Sequence, residues 1–542
     1  MTIASAPRRP GPTLAFIAPW ELSRAVARIP RAPRPDVVVL LVESVSKGAA
    51  LPWHRQKLVL VVSALRHFAA ELRAAGHVVD HRVAPSYEDA IVDAAAEHGA
   101  RRVVASEPRE WQMKEELDHV RPRLASLGIP LEAREDPGFI APRADFDAWA
   151  NGRKELRMEW FYRELRRTHA VLMEPDGQPS GGTWNFDTEN RKPWPKGRAA
   201  PARMLVEPDA LTREVMAQVA RWKGRWGSVE GFSLPVTRRA ALALLERFVT
   251  ERLGEFGPYE DAMVAGETDL LHSTLSSAIN VGLLHPLEVV RRAERAYRDG
   301  NAPLPSVEGF IRQILGWREY VRGIYWRLMP GLRTANALGA DRTLPLWYWA
   351  PDGEAGYPGA GAHAPCRMAC LADSVRSVRD HGRVHHIPRL MVQGSIATLL
   401  GVTPEALSRW FWAAFTDAYE WVELPNVAGM ATWGDGGVMA SKPYVSSGAY
   451  INRMSNYCSS CSYDVKLRSG ANACPVNLLY WDFLARHRTR FERHPRMAMM
   501  IRNLDRIPAP ELVQLRREAA AFRDQVPWEA EGPFFGSTPG QP

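Results

Sequence analysis

The chain reads as an α/β domain followed by an all-α domain, with a long connector between them. Three observations predict this. Apolar runs alternate with amphipathic stretches over about the first 135 residues, the pattern of strand–helix–strand units around a parallel sheet. From about residue 208 onward helical periodicity dominates and alternating strand patterning nearly vanishes. The stretch between them carries turn signals at Pro175 to Gly182 and a proline-rich run from Lys192 to Pro201. The division is residues 1–137 for the sheet domain, 138–207 for the connector, 208–525 for the helical domain and 526–542 for a C-terminal tail.

Taken in order, the runs Leu14 to Ile17, Val37 to Val42, Val78 to Val83, Arg102 to Ser106 and Ile129 to Ala133 read as strands. Between them, Lys57 to Ala75 places Leu58, Val61, Val62, Leu65, Phe68, Ala69 and Leu72 on one helical face. The connector holds one helical pattern, Glu155 to Arg167, and a connector this long carries function or wraps another domain. In the helical domain the clearest patterns are Ala240 to Leu253, Leu270 to Leu284, Val307 to Trp326 and Pro404 to Tyr419. No internal repeat is visible.

With 542 residues the chain holds two or three domains with full apolar cores. It has 69 Lys and Arg against 61 Asp and Glu, a net charge of +8 that favours a polyanionic partner. Five cysteines in such a length argue against a secreted disulfide framework and for a reducing compartment. Arg8 and Arg9 precede the short apolar stretch Leu14 to Ile17, but that stretch is too short for an export signal and ends at Pro19. No run approaches the roughly 20 apolar residues of a membrane span, so a cytoplasmic protein with no membrane partner is expected. Nineteen tryptophans offer stacking surfaces and one-electron carriers as well as packing.

Four cysteines carry the most chemical information. Cys458 and Cys461 form a C-x-x-C pair, Cys474 precedes Pro475, and Cys370 lies far upstream. Such a set suits a [4Fe–4S] cluster or zinc, and the spacing alone does not choose between them or exclude buried free thiols. Cys366 is the leftover, read as a core or loop residue. Ser273 and Ser276 place two hydroxyls near a helix start, where they serve as a cap or as a phosphate site. No G-x-G-x-x-G follows the first strand, which has Ala18-Pro19-Trp20-Glu21 instead, so the dinucleotide fingerprint is absent and a nicotinamide dinucleotide is not the expected cofactor.

Several segments resemble the cryptochrome/photolyase flavoproteins, and more closely their bacterial iron–sulfur branch, which includes prokaryotic (6-4) photolyases. The motifs are Phe256-Gly257-Pro258-Tyr259, His272-Ser273-Thr274-Leu275-Ser276, Gln313-Ile314-Leu315-Gly316-Trp317-Arg318-Glu319-Tyr320 and His385-His386-Ile387-Pro388-Arg389-Leu390-Met391. They continue in Trp421-Val422-Glu423-Leu424-Pro425-Asn426-Val427, Lys442-Pro443-Tyr444 and Tyr450-Ile451-Asn452-Arg453-Met454-Ser455, with Trp184-Asn185-Phe186-Asp187 and Asn190-Arg191 in the connector. The resemblance implies a [4Fe–4S] cluster on Cys370, Cys458, Cys461 and Cys474. It implies FAD held by Tyr259, Ser273, Leu275, Ser276, Trp317, Arg318, Glu319, Asp417, Glu423 and Asn426, and an electron relay through Trp349 and Trp410. It places His385 and His386 at the floor of a lesion pocket, with His386 as proton donor, His385 as its support and Tyr444 as a second polar contact. A histidine suits that step because its ordinary pKa lies near physiological pH.

The implied activity is light-driven repair of UV-damaged DNA, (6-4) pyrimidine photoproducts foremost, by a monomer whose basic face holds the DNA phosphates. Three departures bear on it. Pro388 replaces the family's usual Gln, Ser395 replaces a usual Asn, and Met430 to Asp435 replaces a Met-Ser-Gln-Phe-Ala-Asp pattern, all expected near the lesion pocket. Ala18-Pro19-Trp20 stands where the family has a polar Gly-Asp-Gln loop for its antenna chromophore, a lumazine or similar pigment. Trp20 is expected to fill that cavity, which predicts weak or absent antenna binding. These changes keep two other readings open: a cryptochrome-like photoreceptor that signals to a partner, and a light-independent iron–sulfur nucleic-acid-binding protein.

Overall fold

The computed structural model describes residues 11–355 and 361–530, so the Arg8–Arg9 pair and most of the C-terminal tail lie outside the described residues. Five strands, β1 (Thr13–Ile17), β2 (Val37–Ser44), β3 (Val78–Ala84), β4 (Arg102–Ser106) and β5 (Leu131–Arg134), form one parallel sheet in the order β3-β2-β1-β4-β5. β1 is central, with Ala15 opposite both Val39 and Val104, and is buried along its whole length, which is why its sequence shows no alternation. β3 is an edge, and Asp80, His81 and Arg82 in its middle discourage a further strand from pairing there.

The two faces of the sheet enter different cores. Leu14, Phe16, Leu40 and Val42 pack with residues of the helices Tyr87–Glu97 and Trp111–Ser126. Ile17, Val39 and Leu41 join the apolar core that continues through the helical domain. The helix Arg55–Ala74 bridges the two, burying Leu58, Leu65, Phe68 and Leu72. From its first turn the buried Lys57 ammonium donates to the carbonyls of Trp412 (2.8 Å) and Ala418 (2.5 Å), tying the sheet domain to the helical one.

Several expected elements differ. β5 begins two residues late, because the helix before it ends in a left-handed Gly128 with Ile129 N–H bonded back to Leu124, and Pro130 has no N–H to offer a ladder. The connector has two helices, Arg143–Ala150 and Met158–Thr168, where one from Glu155 was expected. Glu155 pairs with Arg157, two residues on, a spacing that does not meet on a helix face. The expected helix Leu270 to Leu284 shrinks to Ser276–Asn280, because Leu270 and Thr274 adopt left-handed backbone at φ 42° and 57°. The expected helix Pro404 to Tyr419 stops at Ala414, where Phe415 turns extended and Thr416 N–H bonds Gly382. No helix among the described residues is long and apolar enough to cross a membrane.

Candidate functional site

A cavity of about 1200 Å³ opens in the helical domain. Its walls come from loop 272–280 and from segments 312–318, 383–391, 417–430 and 442–454, which are distant in sequence. Three π-helical turns, Arg312–Arg318, Pro388–Gly394 and Pro425–Ala431, contribute to it. A π turn accommodates an extra residue and re-aims the side chains around it, which is why such turns recur at functional sites. Here they deliver Trp317 and Arg318, Arg389 and Leu390, and Asn426 and Met430 to the wall.

Loop 272–276 is held under strain. Left-handed backbone at the β-branched Thr274 costs roughly 1–2 kcal/mol, and its Oγ1 is buried with no partner. Ser273, Leu275 and Ser276 all face the cavity. Ser276 Oγ donates to Asp417 Oδ2 at 2.6 Å, and Arg389 donates to both oxygens of the same carboxylate at 3.0 and 3.1 Å. Asn280 Nδ2 donates to the Asp417 backbone carbonyl at 2.8 Å. Burial works to raise the Asp417 carboxyl, but the Arg389 charge and these hydrogen bonds outweigh it and hold the group below its ordinary range. Glu423 lacks such a grip, and burial raises it to about 7 against the opposing charge of Arg389. A carboxyl poised there can either accept or donate a hydrogen bond at neutral pH.

His385 and His386 are both on the wall. The His385 ring stacks on His272 at 4.3 Å, and neither of its ring nitrogens has a partner although the side chain is buried. An orphaned buried imidazole is costly unless a ligand satisfies it. A histidine's ordinary value lies near neutrality, but here burial lowers His386 and His272 to about 4 and His385 well below the ordinary value. Burial thus favours the neutral form of all three rings. Each still has one N–H to donate.

Eleven of the residues singled out in the sequence line this one cavity: Ser273, Leu275, Ser276, Trp317, Arg318, His385, His386, Asp417, Glu423, Asn426 and Tyr444. Glu319 does not. Its carboxylate accepts from the Ile140 and Ala141 N–H groups at 3.0 Å each and from Arg318 at 2.9 Å, so it anchors the connector behind the wall. Tyr259 is also off the wall, with its ring edge-on to Trp194 at 5.1 Å. Trp410 and Trp349 are buried behind the cavity with ring centroids 6.4 Å apart, and Trp226, which sequence reasoning missed, continues the series 5.4 Å from Trp349. Also missed were His272, Thr274, Asn280 and Arg389. His272, Thr274 and Arg389 lie inside the quoted motifs, but their roles depend on contacts across the fold.

The sequence departures lie beside the cavity more than on it: Pro388 stands between the wall residues Ile387 and Arg389, and Ser395 contacts the wall residue Ser446. Of Pro388, Ser395 and the Met430 to Asp435 segment, only Met430 is on the cavity wall. Pro388 is buried at the start of its π turn, and Ser395 Oγ accepts from Ser446 N–H at 3.1 Å inside the core.

A second, small cavity gathers Cys370, Cys458, Cys461 and Cys474 with Met368, Ile451 and Tyr457. Cys370 comes from the helix Ala369–His381, Cys458 from a 3-10 turn, and Cys474 caps the helix Pro475–Arg486. Gly448 lets the backbone approach, since a Cβ there would stand 3.0 Å from Cys474 Sγ. Cys366 is buried beside this group but off the cavity wall, with its thiol toward the Met368 carbonyl. Among the described residues no three His, Cys, Asp or Glu side chains are grouped to hold a single metal ion.

A third cavity, about 620 Å³, lies at the carboxyl ends of β1 and β2 against the helical domain. Trp20 forms part of its wall beside Trp53, Lys57, Trp412 and Tyr419. The expectation that Trp20 fills this space is thus corrected, because its indole packs beneath the Arg109 guanidinium at 5.9 Å and leaves the cavity open.

Comparison with known proteins adds three findings. Residues 15–234 match the family model of deoxyribodipyrimidine photo-lyase-related proteins. The chain is 41% identical to a (6-4) photolyase of Agrobacterium fabrum over 94% of its own length and 98% of that protein. Its fold is similar to that of a bacterial class III photolyase from Agrobacterium tumefaciens (TM-score 0.56, 14% identity, 96% of this chain and 98% of that one). It is also similar to that of the Synechocystis sp. PCC6803 cryptochrome (TM-score 0.53, 14% identity, 95% and 99%).

Proposed function

Because the chain belongs to the cryptochrome/photolyase family, we propose that it is a DNA photolyase that repairs (6-4) pyrimidine photoproducts in blue light. The observation that carries this reading is the large cavity, which brings His385, His386 and Tyr444 onto the same walls as Ser273, Ser276, Asp417, Glu423 and Asn426.

The cavity fits FAD by size and by chemistry. Thr274 Oγ1 and the His385 ring are orphaned polar groups that a polar ligand would satisfy. Ser273 and Ser276 would face the pyrophosphate. Trp317, Arg318 and Leu275 would line its course, and Asp417, Glu423 and Asn426 would meet the ribose or ring edge. Glu319 supports this wall from behind through Arg318, and Tyr259 packs on Trp194 outside it. Bound there and reduced, FAD would supply light-driven one-electron chemistry.

The protein's own contribution is to bind, orient and protonate. Arg191, Lys442, Arg453 and Arg496 are at the cavity wall and give it a basic rim for phosphates. Flipping a dinucleotide into the cavity costs a few kcal/mol, least at a damaged site. His386 is assigned as the proton donor to the lesion, with His385 held against His272 as its support and Tyr444 as a second polar contact. A lesion carrying negative charge favours the imidazolium that burial alone disfavours. Trp410 and Trp349 are assigned to the relay that charges the flavin.

The four thiols around one cavity support a [4Fe–4S] cluster. Cys370, Cys458, Cys461 and Cys474, the set that the family resemblance assigns to the cluster, line that cavity together. The third cavity, at about 620 Å³, is within the size range of small-ligand sites, so a small chromophore has room there beside Trp20. The protein is assigned to the cytoplasm as a monomer acting on UV-damaged DNA.

The test is repair of oligonucleotides carrying a (6-4) photoproduct or a cyclobutane dimer, under blue light and in darkness, by protein with confirmed flavin absorbance. Light-dependent restoration of the (6-4) substrate is expected. Flavin photoreduction with neither lesion repaired would overturn the assignment in favour of a photoreceptor.

A further inference from the structure

The C-terminal segment straps the relay. Leu346 N–H donates to the Pro527 carbonyl at 2.7 Å, Glu529 N–H to the Leu344 carbonyl at 2.9 Å, and Thr343 Oγ1 to the Glu529 carbonyl at 2.9 Å. This strap carries the Glu529 carboxylate to Trp349, whose indole N–H donates to Glu529 Oε1 at 2.9 Å. Trp349 is 2% exposed, and the Glu529 side chain is also largely buried. The neighbouring indoles differ in what they meet: Trp410 N–H donates to the Tyr348 carbonyl and Trp226 N–H to the Trp349 carbonyl. A backbone carbonyl cannot keep a proton, whereas a carboxylate can.

We propose that Glu529 is the proton acceptor of Trp349, making the light-driven oxidation of that indole a proton-coupled step. This rests on the assignment of Trp349 to the relay. An electron leaves the Trp349 indole through Trp410 toward the photoexcited oxidised flavin, and the indole becomes a radical cation. Its N–H, now acidic, breaks, and the proton moves along the existing hydrogen bond to Glu529 Oε1. A neutral indolyl radical and a carboxylic acid remain. The reverse electron jump is slowed because the proton must return with it. An external thiolate then gives one electron to the indolyl radical and leaves as a thiyl radical, while Glu529 returns the proton to the indole nitrogen.

The surroundings suit this role. Burial raises the Glu529 carboxyl above its ordinary value, opposed by the Arg409 charge and the Trp349 hydrogen bond. Arg409, from the helix Pro404–Ala414, donates to the same Oε1 at 3.1 Å and fixes the carboxylate on the indole. Arg342 stacks on Trp528 at 5.1 Å and helps hold the strap.

The experiment is transient absorption on the flavin-loaded full chain, comparing wild type with Glu529→Gln, which keeps the shape and an acceptor oxygen but cannot hold the proton. In the wild type the tryptophan radical cation should convert to the neutral radical, more slowly in D2O. In Glu529→Gln the cation should persist and recombine at least about tenfold faster, in line with the loss of a positioned base. Lowering the pH through the Glu529 titration should give the wild type the behaviour of Glu529→Gln, while the variant stays flat, so the proposal can be tested even if the variant folds poorly. In darkness, the Trp349 indole hydrogen bond, followed by resonance Raman against Trp349→Phe, should weaken with falling pH only in the wild type. Equal yields of neutral radical in both proteins, with the same isotope effect, would overturn the proposal. Persistence of the whole radical signal in Trp349→Phe would remove the relay assignment itself, and the proposal with it.

Discussion

Arg389 and Asp417 are the pair on which the cavity wall turns. The guanidinium also covers the Phe415 ring at 4.2 Å, so the ion pair is packed as well as hydrogen-bonded. Asp417→Asn should leave Arg389 without its counter-charge and destabilise the protein by about 3 kcal/mol, with early flavin loss; denaturant melts and flavin release on heating check this. His386→Ala should keep its flavin and lower the repair yield per absorbed photon by about 100-fold, the scale of a lost acid. An unchanged yield would remove His386 from the proton step. Glu260 gives a pH test with a definite sign. Burial raises its carboxyl to about 8, partly opposed by Arg312, and one of its oxygens has no partner. The folded value exceeds the unfolded one, so any stability linked to this group is present below about 4.5 and is lost as pH rises through about 8. Glu260→Gln should therefore melt near wild type at pH 5 and above it at pH 9.

At the scale of elements, the cavity is made by interruptions of helices more than by helices. The Thr274 loop, the three π turns and the extended Phe415 all break a helical pattern, and each break points a polar group inward. Thr274→Gly should relieve the left-handed strain and raise the melting temperature of the flavin-free protein by an amount equivalent to roughly 1 kcal/mol, while weakening flavin binding through the lost hydroxyl. The cysteine cavity joins a helix, a 3-10 turn, a loop and a helix cap. Substituting Ala at Cys370, Cys458, Cys461 or Cys474 should each strip the iron, measured by metal analysis and visible absorbance. Cys366→Ala should retain it. Iron retained in Cys370→Ala and lost in Cys366→Ala would exchange their roles.

For the whole molecule, the net charge of +8 and the basic rim make DNA affinity salt-dependent. Replacing Arg453 by Ala should reduce the slope of log affinity against log salt by about one unit, equally for damaged and undamaged duplexes, as a titration from low to high salt would measure. The parallel sheet, its strand positions and the helical nature of the larger domain were legible in the sequence, because apolar periodicity follows local backbone geometry. So were the residue types of the cavity, through motifs such as His272 to Ser276. Tertiary structure decided the rest. Glu319 and Tyr259 sit in matching motifs yet face away from the cavity, because one caps the connector's N–H groups and the other packs on Trp194. Pro388 and Ser395 proved to be core positions, and Trp20 left a cavity open. Glu529, from the far end of the chain, reached Trp349 through a strap that no local pattern announces. The sequence by itself determined which elements form and which chemical groups are available. Only long-range packing determined which way each group faces, because direction depends on partners hundreds of residues away and leaves no periodic trace.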